Sequence, residues 1–168
     1  HFKNIRQLTF GGDNAEAYFS FDGKQISWQK TNPKENIPCD QIYISSLEGS
    51  LSPKLVSTGE GRTTCAYFMK GGKEILFAST HLTDTACPPV PDKKKIGKYV
   101  WPIYPGYDIF VADANGKLTK QLVNSPGYDA EATVSLNGDK IVFTSMRNGD
   151  LDLYVMNADG TNVKQITS

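Results

Sequence analysis

The chain has 168 residues, enough for one core of ordinary size without calling for a second domain. Its 18 Lys and Arg balance 18 Asp and Glu, so no net field favours nucleic acid or an anionic membrane, and no nucleic-acid partner is expected. No apolar run approaches the length of a membrane span, and three cysteines are too few for a disulfide-dense scaffold. The start, His1-Phe2-Lys3-Asn4, lacks the apolar stretch of a signal peptide, so any export signal is expected to have been removed already.

In chain order, Arg6-Gln7-Leu8-Thr9 reads as a lone closing strand over residues 6–9, with no partner strands before it. Three diverged copies of one unit follow. The runs EAYFSFDG (16–23), CAYFMKGG (65–72) and EATVSLNG (131–138) align without a gap, each a first strand entering a glycine turn. Second strands follow at Ile26-Ser27-Trp28, Ile75-Leu76-Phe77 and Ile141-Val142-Phe143. Third strands lie at Gln41-Ile42-Tyr43-Ile44, at 107–111 and at 151–155, and fourth strands begin at Lys54, Lys120 and Lys164. These predict three four-stranded antiparallel meanders over about 14–57, 63–123 and 129–168, in a single partial domain spanning 1–168. The second contains an insertion at 80–106.

The third copy carries Gly138-Asp139-Lys140-Ile141-Val142-Phe143-Thr144-Ser145, then Asp152-Leu153-Tyr154-Val155-Met156-Asn157-Ala158-Asp159-Gly160 and Gln165-Ile166-Thr167. This pattern resembles the repeat of TolB-type, WD-repeat-like β-propellers, and the first two copies follow it more loosely. The resemblance implies an all-β propeller with three blades present, half of a six-bladed ring. Open flanks on the outer blades then require either further blades or self-association. It also implies a periplasmic or extracellular location. The function it implies is non-catalytic display of a long-loop face to a protein, peptide or carbohydrate ligand. The alternative is the propeller domain of a peptidase, hydrolase or lyase, because the same repeat serves both.

Alternating strand direction sorts the loops onto two faces. The short glycine turns occupy one, and the connections before each first strand and after each second strand occupy the other, where function is expected. Glu16, Cys65 and Glu131 are equivalent in the repeat and should ring the mouth of the central channel, with Arg62 beside them. They either form a carboxylate-lined pocket for a cation, a sugar or a basic peptide end, or accept backbone N–H bonds between blades. The connections after the second strands supply residues 31–40, 80–106 and 146–150. At 27 residues the insertion exceeds ordinary structureless loops. Its prolines argue for a stiff extended segment, and Lys93-Lys94-Lys95 with Lys98 for a solvated tip. Tyr99, Trp101 and Tyr104 either make a stacking platform or pack onto the blade.

His81 and Arg147 occupy equivalent positions just after the second strands. A histidine near carboxylates can act as a base or metal ligand, yet no HExxH, CxxC or paired-His spacing is present. No metal or cofactor is expected, and no residue is assigned as catalytic: the chain has no GxSxG elbow and no phosphate loop leading into a helix. Cys39, Cys65 and Cys87 all map to the long-loop face. For an exported protein the first expected disulfide is Cys65 to Cys87 and the second Cys39 to Cys87.

Overall fold

A computed structural model describes the backbone of residues 1–168 and every side chain except that of Lys93. Three sheets follow one another along the chain. The first contains β1 (Asp13–Phe19), β2 (Gln25–Asn32), β3 (Ile37–Ser46) and β4 (Lys54–Leu55). The second contains β5 (Thr63–Phe68), β6 (Glu74–Ser79), β7 (Asp108–Asp113) and β8 (Leu118–Gln121). The third contains β9 (Asp129–Val134), β10 (Lys140–Ser145), β11 (Asp152–Asn157) and β12 (Lys164–Gln165). Every ladder is antiparallel and joins strands consecutive in sequence.

The turns explain this local order. In each sheet the amide after the first strand closes a tight turn, as in Gly23 N–H to Ser20 O (2.9 Å), Gly72 N–H to Met69 O (3.0 Å) and Gly138 N–H to Ser135 O (2.8 Å). Apolar residues then decide how the sheets stack. Ile42, Ile44 and Val56 from the first sheet pack with Phe68, Ile75, Phe77 and Phe110 from the second. Leu76, Ile109 and Val111 on the opposite face of the second sheet pack with Ala132, Ile141, Phe143 and Met156 of the third. The middle strands are therefore buried on both faces, and each large side chain removed from water contributes roughly 1.5–3 kcal/mol. At the seam of the second and third sheets a Cβ on Gly138 would collide with Lys70 Cβ, so this turn approaches too closely for a side chain.

Two expectations change here. Arg6–Thr9 forms no strand; Leu8 and Thr9 instead border a shallow groove on the first sheet with Ala15, Ala17, Ile26, Trp28 and Leu51. A strand needs a neighbour for its backbone groups, and no ladder includes this segment. Residues 31–40 are mostly strand: β2 runs to Asn32, a 3-10 turn spans Pro33–Glu35, and β3 starts at Ile37. Asn36 takes a left-handed conformation, and Lys30 pairs with Glu35 at 2.5 Å, tightening the hairpin.

The insertion is not uniformly extended. It contains a short helix, α1 (Lys93–Ile96), and its base is tied to the sheets. Gly61 N–H donates to Thr85 O at 2.7 Å, Gly106 N–H to Gly127 O at 2.7 Å, and Tyr104 Oη–H to Pro89 O at 2.8 Å.

Candidate functional site

Each first strand carries the same irregularity. The ladder slips between Ala15 and Tyr18 in β1, between Thr64 and Tyr67 in β5, and opposite Val142 and Thr144 at β9. At each slip one non-glycine residue has a positive φ: Glu16 at 49°, Cys65 at 42° and Glu131 at 55°. These are the three repeat-equivalent positions. A bulge re-aims a side chain out of the alternating pattern, and here it turns two carboxylates and a thiol toward a shared space. Left-handed backbone costs a non-glycine residue roughly 1–2 kcal/mol, so strain is spread over three related points around that space.

The space is a cavity of about 370 Å³ lined by Glu16, Cys65 and Glu131 from the strands and by Tyr99, Trp101 and Ile103 from the insertion; Tyr128 closes one side. Cys65 Sγ–H donates to Glu131 Oε2 at 2.8 Å, and Tyr128 Oη–H donates to Glu131 Oε1 at 3.0 Å. Tyr18 Oη–H donates to Glu16 Oε2 at 2.6 Å, and Cys65 N–H donates to Gln29 Oε1 at 3.2 Å. Burial, reinforced by the bond to and charge of Glu131, pushes the Cys65 thiol far up. The thiol is therefore neutral and a poor nucleophile. Burial first, then the neighbouring carboxylates, also hold Tyr18 and Tyr128 in the phenol form.

A smaller cavity of about 100 Å³ adjoins it and is lined by Arg62, Tyr104, Tyr107 and Pro102 together with Thr64, Trp101 and Tyr128, which border both cavities. Arg62 is held there by Asp40 at 2.7 Å and lies over the Tyr104 ring at 5.9 Å.

Searching known family models returned no match. Solved structures do match over nearly the whole chain. A protein described as TolB from Agrobacterium tumefaciens superposes with a TM-score of 0.70 at 20% identity, covering 94% of this chain and 50% of that one. TolB from Acinetobacter baumannii gives 0.67 at 22% identity, covering 94% of this chain and 33% of that one. The fold is a β-propeller. This chain supplies about three four-stranded blades of it and spans half or less of the length of those two TolB structures. A puromycin-hydrolyzing peptidase from Mycobacterium tuberculosis also matches, with a TM-score of 0.61 at 14% identity, covering 95% of this chain and 23% of that one. At these identities the likeness is one of propeller architecture.

Within the propeller, Glu16, Cys65, Tyr99, Trp101 and Glu131 share one cavity, and Arg62 and Tyr104 join Trp101 in the next. His81 and Arg147 line neither. His81 is buried against Phe110, with ring centroids 4.6 Å apart, and its Nδ1 lies 2.9 Å from Ser79 Oγ. Burial lowers its pKa, keeping the imidazole neutral. Arg147 is locked between blade strands, donating to Asp129 Oδ1 at 2.9 Å and Ser145 Oγ at 2.8 Å, with its guanidinium 4.7 Å from the Tyr154 ring centre.

The expected Cys65–Cys87 disulfide is corrected: the bond joins Cys39 and Cys87, with Cα atoms 5.9 Å apart, and Cys65 is free. The bulge explains this, because it commits Cys65 to the cavity and to Glu131. Cys39 lies on β3, beside the returning insertion. Gln29 and Tyr128 also belong to the site, though neither carries a motif that marks it. Tyr128 lies one residue before β9, in the segment that supplies Asp129 and Glu131, and that placement was the available signal.

Proposed function

We propose that this propeller is an exported, non-catalytic binding module that presents its long-loop face to a protein, peptide or glycan. The observation that carries the reading is the shared cavity: aromatic residues of the insertion and the repeat-equivalent residues of three first strands meet around one open space. Exposed aromatics beside buried polar groups suit recognition, since rings supply contact area while fixed polar groups set orientation. Periplasmic or cell-surface placement is part of the proposal and fits the Cys39–Cys87 disulfide, a bond favoured in oxidising compartments. The chemistry of the residues supports binding over catalysis, because the Cys65 thiol is held neutral and His81 is packed outside the cavity.

The test is a peptide and glycan array probed with the protein and with a Tyr99→Ala/Trp101→Ala variant of unchanged circular dichroism. Specific binders that the variant loses support the reading; an identical binding profile for both proteins removes the platform.

A further inference from the structure

No ion pair among the described residues neutralises the two carboxylates of the larger cavity. Among the described residues, the ion pairs are Lys30–Glu35, Arg62–Asp40, Lys95–Asp92 and Arg147–Asp129, and none includes Glu16 or Glu131. Among the described residues, the donors that reach these two carboxylates are two phenols and a thiol, all uncharged. Arg62, which lines the adjoining cavity, already serves Asp40 at 2.7 Å. Tyr99, Trp101 and Tyr128 line the space, and the exposed ring face of Trp101 can attract a cation. Neighbouring groups respond to the same field, since the charge of Glu131 helps keep Cys65 and Tyr128 protonated, and that of Glu16 acts likewise on Tyr18.

Building on the binding reading above, we propose that this cavity receives a protonated primary amine presented by a peptide, with the ammonium between Glu16 and Glu131 and its carbon stem against Trp101 and Tyr99. The ammonium would accept what the cavity offers, two carboxylates with spare lone pairs and aromatic faces. A neutral sugar would use the rings and leave both charges uncompensated. A lysine side chain and a peptide N-terminus both supply such an amine, and the two are separated by probe design.

The experiment follows Trp101 emission, because Trp101 is 53% exposed whereas the other tryptophan, Trp28, is 3% exposed. Four probes are titrated: N-acetyl-lysine amide, alanine amide with a free amine, N-acetyl-alanine amide, and a neutral disaccharide. Saturable binding of the first probe alone identifies the lysine side chain, and of the second alone the N-terminus. Binding to either that weakens about tenfold in Glu16→Gln/Glu131→Gln, and falls with added salt, is the expected result. Equal binding of charged and neutral probes, no effect of the glutamine pair, or no saturable response to either amine overturns the proposal. The two readings fail separately. If the Tyr99→Ala/Trp101→Ala variant loses glycan or neutral-peptide binders that the glutamine pair retains, the binding face stands and the amine specificity falls. In the Tyr99→Ala/Trp101→Ala variant, which lacks the Trp101 reporter, binding is followed by titration calorimetry; if amine binding survives loss of both aromatics, the platform falls.

Discussion

Glu16, Cys65 and Glu131 show how one backbone choice, repeated, makes a site. Each holds a left-handed conformation that glycine would adopt freely, and in each the bulge aims a side chain at the same space. The strain is testable at Glu16, which is exposed. Glu16→Gly should be about 1 kcal/mol more stable than Glu16→Ala in urea unfolding, since alanine retains the Cβ clash. Equal stabilities would show that the bulge relaxes. Asp108 offers a second residue-scale test. Burial, reinforced by the charge of Asp129, raises its pKa from 3.8 to about 6. Between those values the folded state binds more protons than the unfolded one, so stability falls as pH rises through that window and stays at the lower level above it. Asp108→Asn should remove this slope and raise Tm by about 3 °C at pH 7, allowing for partial solvation of the carboxyl. Thermal melts from pH 4 to pH 7 read it directly. His81 acts in the opposite sense: its lowered pKa means that charging it as pH falls below 6.5 costs stability.

The insertion is the element that turns a repeat into a site. Its base is fastened by Gly61, Gly106 and the Cys39–Cys87 bond, so Trp101 and Tyr99 are delivered to the strand bulges from a tethered loop. The disulfide closes a separation of 48 residues, for which chain entropy alone gives about 4 kcal/mol of stabilisation. Cys39→Ser/Cys87→Ser should lower the urea-unfolding free energy by about 2–4 kcal/mol and expose residues 88–103 to limited proteolysis. Unchanged cleavage in that segment would show that hydrogen bonds and packing alone hold the loop. Close approach also fixes its end: a Cβ on Gly106 would collide with Thr83 Oγ1.

At the scale of the molecule, stability lies in the seams between blades. The apolar clusters span sheet pairs, so truncation at Phe77 or Phe143, both fully buried, should cost about 3–5 kcal/mol. The Gly138 turn gives a subtler probe. Gly138→Ala combines a left-handed backbone with contact against Lys70, whose Nζ–H donates to Asn137 O at 2.8 Å across the seam. It should destabilise by about 2 kcal/mol while leaving the cavity at the other end of the strands intact. Matched denaturation and Trp101 emission measurements separate those effects, and a change in both would couple the seam to the site.

The repeat was legible because its signals are local. Glycine turns, apolar alternation within strands such as Ile75–Phe77 and the ungapped match of 16–23, 65–72 and 131–138 report on neighbours in sequence. The equivalence of Glu16, Cys65 and Glu131 could be read for the same reason. Residues 31–40 were harder, because a hairpin with a 3-10 turn and Asn36 at positive φ has no glycine to announce it. The Cys39–Cys87 pairing, the separation of His81 from the carboxylates and the lodging of Trp101 and Tyr128 beside Glu131 were decided only in three dimensions. Each depends on how a bulge rotates one side chain and where a tethered insertion comes to rest. Those are long-range packing outcomes, and spacing along a chain does not encode them.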